Sequence, residues 1–133
     1  MGALGGLLES LRQAAGGMRA QSARLQVVSE NIANADTPGY RRKTISFERH
    51  ADMAERPAVV SPGPVRLDES PLRKVFDPGH PLAGPDGSYL GSNVELMVEL
   101  ADAREAQRSY EANLRMFDQA RQMSASLLEL LRK

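Results

Sequence analysis

The chain has 133 residues, no cysteine, and a formal net charge of +0 from 17 basic and 17 acidic side chains. This length allows one ordinary domain with a modest core. The charge balance argues against general attraction to nucleic acid or anionic lipid, and the lack of cysteine excludes disulfides, thiolate nucleophiles and cysteine-ligated zinc.

The N-terminal run MGALGGLLESLRQ has no basic segment, and Glu9 and Arg12 interrupt its apolar residues. We therefore expect neither a Sec-type signal peptide nor a transmembrane span here. If the protein leaves the cytoplasm, we expect a route that needs no cleaved signal.

The N-terminal helix carries a heptad pattern. Four or more heptads of apolar residues predict a helix that packs along another helix. Its first apolar position is occupied by Leu4, Leu11, Met18, Leu25 and Ile32, and the second by Leu7, Ala14 and Val28, with Gln21 as the polar exception. Gly5, Gly6, Gly16 and Gly17 should each weaken this helix by about 1 kcal/mol relative to alanine, so it should need its partner to form.

The run NIANADTPGYRRKTISF ends that helix. Asn34 or Asp36 can bond to its own backbone, Pro38 prevents helical continuation, and Gly39 supplies the positive φ of a type II turn. We predict an assembly and turn motif formed by Asn31, Asn34, Asp36, Thr37, Pro38, Gly39 and Tyr40. The basic run Arg41 to Lys43 is expected to face a neighbouring subunit.

All eight prolines lie between Pro38 and Pro85, which predicts a mainly α chain in three parts. Residues 1–35 form the N-terminal helix, residues 36–92 a turn and an extended or small β-hairpin insert, and residues 93–133 the C-terminal helix. Four β-leaning runs lie in the insert: Lys43–Phe47, Ala58–Val60, Val65–Leu67 and Arg73–Phe76.

The C-terminal helix has a plausible cap at Ser92 or Asn93, with Glu95 placed for a capping box. Its packing seam comprises Leu96, Leu100, Ala103, Tyr110, Leu114, Phe117, Leu127 and Leu131. Further apolar residues lie outside that seam, and this surplus favours contacts with other molecules over two helices pairing within one monomer.

Few residues are candidates for catalysis or metal binding. His50, Asp52 and Glu55 could ligate a metal, but three convergent ligands with supporting groups are not evident, and His80 lies in a proline-flanked turn. Phosphate-loop, dinucleotide and zinc-protease motifs are missing from the sequence. We predict no catalytic, cofactor-binding or metal residues. A small hydrolase using these groups remains an alternative, as does a cytoplasmic coiled-coil adaptor or export chaperone.

NIANADTPGY near the N-terminus resembles the N-terminal signature of the bacterial flagellar axial proteins, and RSYEANLRMF resembles their C-terminal signature. The short chain is similar to the proximal rod proteins, and the stretch from SPLRKVFDPGHPLAG to RSYEANL is similar to the FlgC family. The contiguous ADTPGYRRK departs from that family's usual spacing and is also similar to the sister FlgB family.

This resemblance implies a non-enzymatic structural subunit of the basal-body rod, which crosses the periplasm, transmits torque and supports motility. It implies export through the flagellar type III apparatus without a cleaved signal, and termini that pair as an antiparallel coiled coil after being disordered before assembly. The implied partners are copies of itself, rod proteins of the FlgB, FlgF and FliE types, and the export apparatus, with no cofactor, nucleic acid or direct membrane insertion.

Overall fold

A computed structural model describes residues 2–50 and 58–132. Its elements in chain order are α1 (Gly2–Ala33), β1 (Lys43–His50), β2 (Val59–Leu67), β3 (Lys74–Phe76), β4 (Ser88–Leu90) and α2 (Leu96–Arg132). The predicted mainly α fold, two long helices with a small antiparallel β insert, is confirmed. The division into three domains stays a prediction.

The two helices lie side by side and run in opposite directions. Near the C-terminal end of α1, Asn31 bonds to Glu99 at the start of α2. Two heptads earlier in α1, a Cβ added at Gly17 would lie 2.5 Å from Oδ1 of Asn113, which is fourteen residues further along α2. Contacts that lie further toward the N-terminus of α1 therefore lie equally further toward the C-terminus of α2.

The insert consists of two short antiparallel ribbons. In the first, β1 pairs with β2 from Lys43↔Leu67 to His50↔Val59, with an irregularity between Ile45 and Phe47. Pro62 and Pro64 fit in β2 because both strands of a two-stranded ribbon have an open edge.

In the second ribbon, Lys74–Phe76 pairs with Ser88–Leu90. The strand β4 has only three residues, too few to show the alternation by which a strand is recognised, and sequence inspection did not predict it.

Gly16 and Gly17 let three elements approach closely. A Cβ at Gly16 would clash with the Val59 side chain and would lie 2.8 Å from the Val60 carbonyl oxygen, so β2 rests directly on α1. The neighbouring Gly17 faces Asn113 of α2. That these glycines weaken the isolated helix stays a prediction, but they place the ribbon and the second helix against α1.

The core along this contact is built mainly from small side chains. Its buried apolar residues in the described part are Leu7, Ala14, Ala20, Val27, Val28, Ala35, Val94, Ala106 and Ala120. Such residues allow the helix backbones to approach, whereas several larger predicted seam residues lie at the margin of the contact.

The predicted seam residues divide into two groups. Val28 is buried, and Leu11, Met18, Leu25, Ala103, Tyr110, Phe117 and Leu127 are partly buried. The exposed members are Leu4, Ile32, Leu96, Leu100, Leu114 and Leu131. Their proposed role in packing between molecules stays a prediction.

The start of α2 differs from the predicted cap. The helix begins at Leu96, and the Ser92 hydroxyl donates to the Ala35 carbonyl and accepts from the Val94 amide. Asn93 accepts from the Arg42 amide at 2.5 Å. The capping prediction was wrong because these polar side chains instead fasten the segment before α2 to the end of α1 and to the insert.

Across the described ranges, neither helix combines the length and apolar character that a membrane crossing requires.

Candidate assembly site

The predicted type II turn is present between Thr37 and Tyr40. The Tyr40 amide donates to the Thr37 carbonyl at 3.2 Å, and Gly39 has a φ of 75°. The Gly39 amide lies 3.2 Å from the Leu90 carbonyl oxygen and 3.1 Å from that of Gly91, which docks the turn on the second ribbon. The turn therefore connects the end of α1 to the insert.

The residues before the turn stabilise it locally. The Asn34 side chain donates to the Glu30 carbonyl at 2.9 Å and accepts from the Thr37 hydroxyl at 3.1 Å. The first bond reaches a carbonyl of the last turn of α1, and the second ties the start of the turn to Asn34. Pro38 is partly buried and Asp36 is exposed.

Asn31 lies at the centre of a buried hydrogen-bond network. Its side chain exchanges two bonds with the backbone of Lys43, at 2.8 and 2.9 Å, which fixes the start of β1 against α1. Its oxygen also accepts from the Tyr40 hydroxyl at 2.8 Å, and its amide donates to Glu99 at 3.2 Å. A fully buried asparagine with all these partners specifies one arrangement of α1, β1 and α2.

Glu99 and Arg42 form the charged part of this network. Glu99 is fully buried, and its carboxylate accepts from Nε of Arg42 as well as from Asn31. Arg42 also lies 3.0 Å from Asp102 and 3.6 Å from Asp68. A buried carboxylate needs such partners because an unpaired charge would be costly to remove from water.

We call Asn31, Tyr40, Arg42, Glu99 and Asp102 the junction. Arg24 of α1 extends it by pairing with Asp102 at 3.2 Å, so one arginine from each side holds this carboxylate. The junction thus joins the turn, the first ribbon and both helices through charge-assisted hydrogen bonds.

The junction keeps its groups in the protonation states that these bonds need. Partial burial, and then the nearby Glu30 carboxylate, raise the pKa of the Tyr40 hydroxyl above its ordinary value of 10.0, so it remains a donor. Burial opposes the charge of Arg42, but the hydrogen bond and charge of Glu99, with Asp102 and Asp68, outweigh it and raise the pKa of Arg42.

The basic run is used within the chain. Arg41 donates to the carbonyls of Asp68 and Ser70, at 3.4 and 3.2 Å, and Lys43 pairs with Glu30 at 2.5 Å. Together with Arg42, these contacts tie the cations to their own subunit and position the insert. Their expected contact with a neighbouring subunit stays a prediction.

The histidines do not form a reactive set. His50 is exposed and lies 3.3 Å from Glu48, while Asp52 and Glu55 lie outside the described residues. The His80 ring stacks on Tyr89 at 4.0 Å, and its Nδ1 accepts from the Leu82 amide. Within residues 2–50 and 58–132, no group of three potential ligands is close enough to hold a metal ion.

Sequence reasoning missed the roles of Glu99 and Arg42. One signal was available: Glu99 lies three residues after Leu96 and seven before Ala106, a spacing that places it on the inner side of an amphipathic helix. An acidic residue at such a position needs a cationic partner, and the sequence does not single out Arg42 from Arg41, the first arginine after the turn.

α2 exposes large apolar side chains on both sides of its contact with α1. On one side lie Leu96, Leu100 and Leu114, and on the other Met116 and Met123, all between about two fifths and a little over half exposed. Met97 is 79% exposed. An isolated subunit would leave this surface in water.

Two family models match the chain. Residues 11–41 match the model described as flagella basal body rod protein, and residues 86–130 match the flagellar basal body rod FlgEFG protein C-terminal model. The first match contains the turn and most of α1, and the second contains nearly all of α2, so the junction joins the two matched segments.

The chain is also similar, over most of its length, to flagellar basal-body rod proteins. The flagellar basal-body rod protein FlgC of Agrobacterium fabrum is 42% identical over 126 residues, covering 90% of this chain and 91% of that protein. FlgC of Salmonella typhimurium is 32% identical, covering 93% and 97%. FlgC of Borreliella burgdorferi is also 32% identical, covering 95% and 98%.

Proposed function

Because this chain belongs to the FlgC family of flagellar basal-body rod proteins, we propose that it builds the rod by covering the exposed sides of α2 with neighbouring subunits. It is a structural subunit of the basal body and not an enzyme. The observation that carries the proposal is the row of half-exposed leucine and methionine side chains along α2.

The free energy available from this surface is large. Burying one leucine or methionine side chain fully contributes about 1.5–3 kcal/mol. Half of that, over the five residues Leu96, Leu100, Leu114, Met116 and Met123, amounts to about 4–8 kcal/mol per subunit. This gain would offset the entropy of ordering helices that are marginal before assembly.

In the assembled rod, the two helices pair as an antiparallel coiled coil. Their opposite directions and their contact over several heptads support this arrangement. The neighbours are other copies and rod components, which we propose are of the FlgB, FlgF and FliE types. We further propose that the chain passes through the flagellar export apparatus and takes a position across the periplasm, which its membership of the family supports.

The junction gives the subunit its mechanical role. It fixes the start of the insert to both helices through Asn31, Arg42 and Glu99, so a twisting force applied there would pass to the helix pair through these bonds. A rod that transmits torque requires such stiffness. We propose that the turn motif serves assembly by holding this geometry.

A complementation experiment tests the function. In a strain lacking this protein, the native chain should restore rods and swimming, whereas Leu100→Asp should not, because a buried unpaired charge opposes subunit packing. Arg108→Lys, an exposed change on the same helix, is the control and should restore both. Failure of the native chain to restore swimming, or full swimming with Leu100→Asp, would contradict the proposal.

A further inference from the structure

The two apolar sides of α2 differ in shape. We call Leu96, Leu100 and Leu114 the leucine flank. The methionine groove consists of two adjoining depressions that share Met116. One lies between α1, α2 and the first ribbon and is also lined by Gln21, Phe47 and Arg49; the other lies between α1 and α2 and is also lined by Met123. Leu114 and Met123 are nine residues apart, about two and a half helical turns, so they point to opposite sides of α2.

We propose that the leucine flank of one copy of this chain packs into the methionine groove of the next copy. This inference rests on the proposed function, because identical subunits of an open helical assembly must meet through two different surfaces. A self-complementary contact would close a pair and stop growth. The flank and the groove provide the required unlike surfaces on a single helix.

The groove has the character of a surface that receives another side chain. Met116 and Met123 are unbranched and adapt to irregular partners, and both are about half exposed. Phe47 of the first ribbon forms its far wall and is 37% exposed. The leucines of the flank lie at helical spacing, which suits insertion of one helix into a groove.

One pair of charges supports the same pairing. At the rims, exposed Arg49 of the groove and exposed Glu111 of the flank carry opposite charges.

Cysteine cross-linking tests the contact, since the chain has no native cysteine. Leu114→Cys and Met123→Cys forms are expressed together in the deletion strain, and isolated basal bodies are treated with a short bifunctional maleimide. A dimer is expected only when both forms are present. Gln122→Cys in place of Met123→Cys is the control, because this exposed neighbour lies about 100° away around α2, and it should give none.

The outcomes separate this inference from the function. Swimming cells whose basal bodies yield no mixed dimer, or yield dimers from Leu114→Cys alone, would overturn the inference and leave the structural role intact. The rim charges give a second test that needs no cysteine. Arg49→Glu and Glu111→Arg should each reduce swimming, and the two changes in one chain should restore it; unaffected single variants or an unrepaired double variant would overturn the inference.

Discussion

Replacing Glu99 by alanine should lower the free energy of unfolding by about 2–3 kcal/mol. Removing one partner of a buried ion pair costs about 3–5 kcal/mol when the other is left unpaired. In this variant Arg42 would still pair with Asp102, which lies 3.0 Å away, and the Arg42 side chain is 20% exposed, so the cost should lie below that range. Asn31 would also lose one of its two acceptors.

Glu99→Gln should cost less, about 1–1.5 kcal/mol. The glutamine keeps the shape of the side chain but only one of its two acceptor oxygens, so it loses the charge and one of the bonds from Arg42 and Asn31. The three-way order, with alanine worse than glutamine and glutamine worse than the native residue, separates the loss of the charge and one acceptor from the loss of the whole side chain.

Urea unfolding of the purified chain measures these differences, followed by far-UV circular dichroism and by tyrosine fluorescence. The transition midpoint should fall while the slope stays unchanged. Glu111→Ala, an exposed change on the same helix, should shift the free energy by less than about 0.5 kcal/mol. If Glu99→Ala costs no more than Glu111→Ala, the junction does not hold the insert to the helices.

Three further predictions use the same urea measurement. Gly16→Ala should destabilise the fold by about 1–3 kcal/mol through the close contact with β2, whereas Gly6→Ala, with open space around it, should stabilise α1 by about 0.5–1 kcal/mol; equal effects would contradict this packing. Gly39→Ala should cost about 1–2 kcal/mol because its φ is 75°, and Gly39→Asn less; an unaffected alanine variant would argue against the strained turn. Hydrogen bonds from Ser70 hold the pKa of Asp68 below its ordinary 3.8. The contribution of Asp68 to the free energy of unfolding is therefore present above that value and is lost as the pH falls through its folded pKa. Ser70→Ala should flatten the pH dependence of the urea midpoint below about pH 4, and an unchanged pH dependence would refute this.

Local determinants explain what the sequence predicted well. Proline placement separates the helices from the insert, because proline cannot continue a helix. The Pro38–Gly39 pair defines the turn through a fixed φ followed by a positive one. Both rules act within a few residues and do not depend on the rest of the chain.

Tertiary contacts explain what the sequence did not reveal. A heptad pattern marks an apolar side of a helix but not which part of it meets which neighbour, and the closest helix contact uses small residues such as Ala106 and Ala120. Leu96 and Leu100 consequently lie at the margin. The burial of Glu99 depends on Asn31 and Arg42, which reach it only after the chain has folded.

The long separation within the junction has a consequence for the order of folding. Asn31 and Glu99 are 68 residues apart, and contacts over such distances form late and slowly. A chain delivered from its N-terminus, by a ribosome or through a narrow channel, presents α1 long before its partner emerges. The α1 segment therefore emerges before α2 is available to pair with it, and the subunit becomes rigid only when the last third of the chain has emerged.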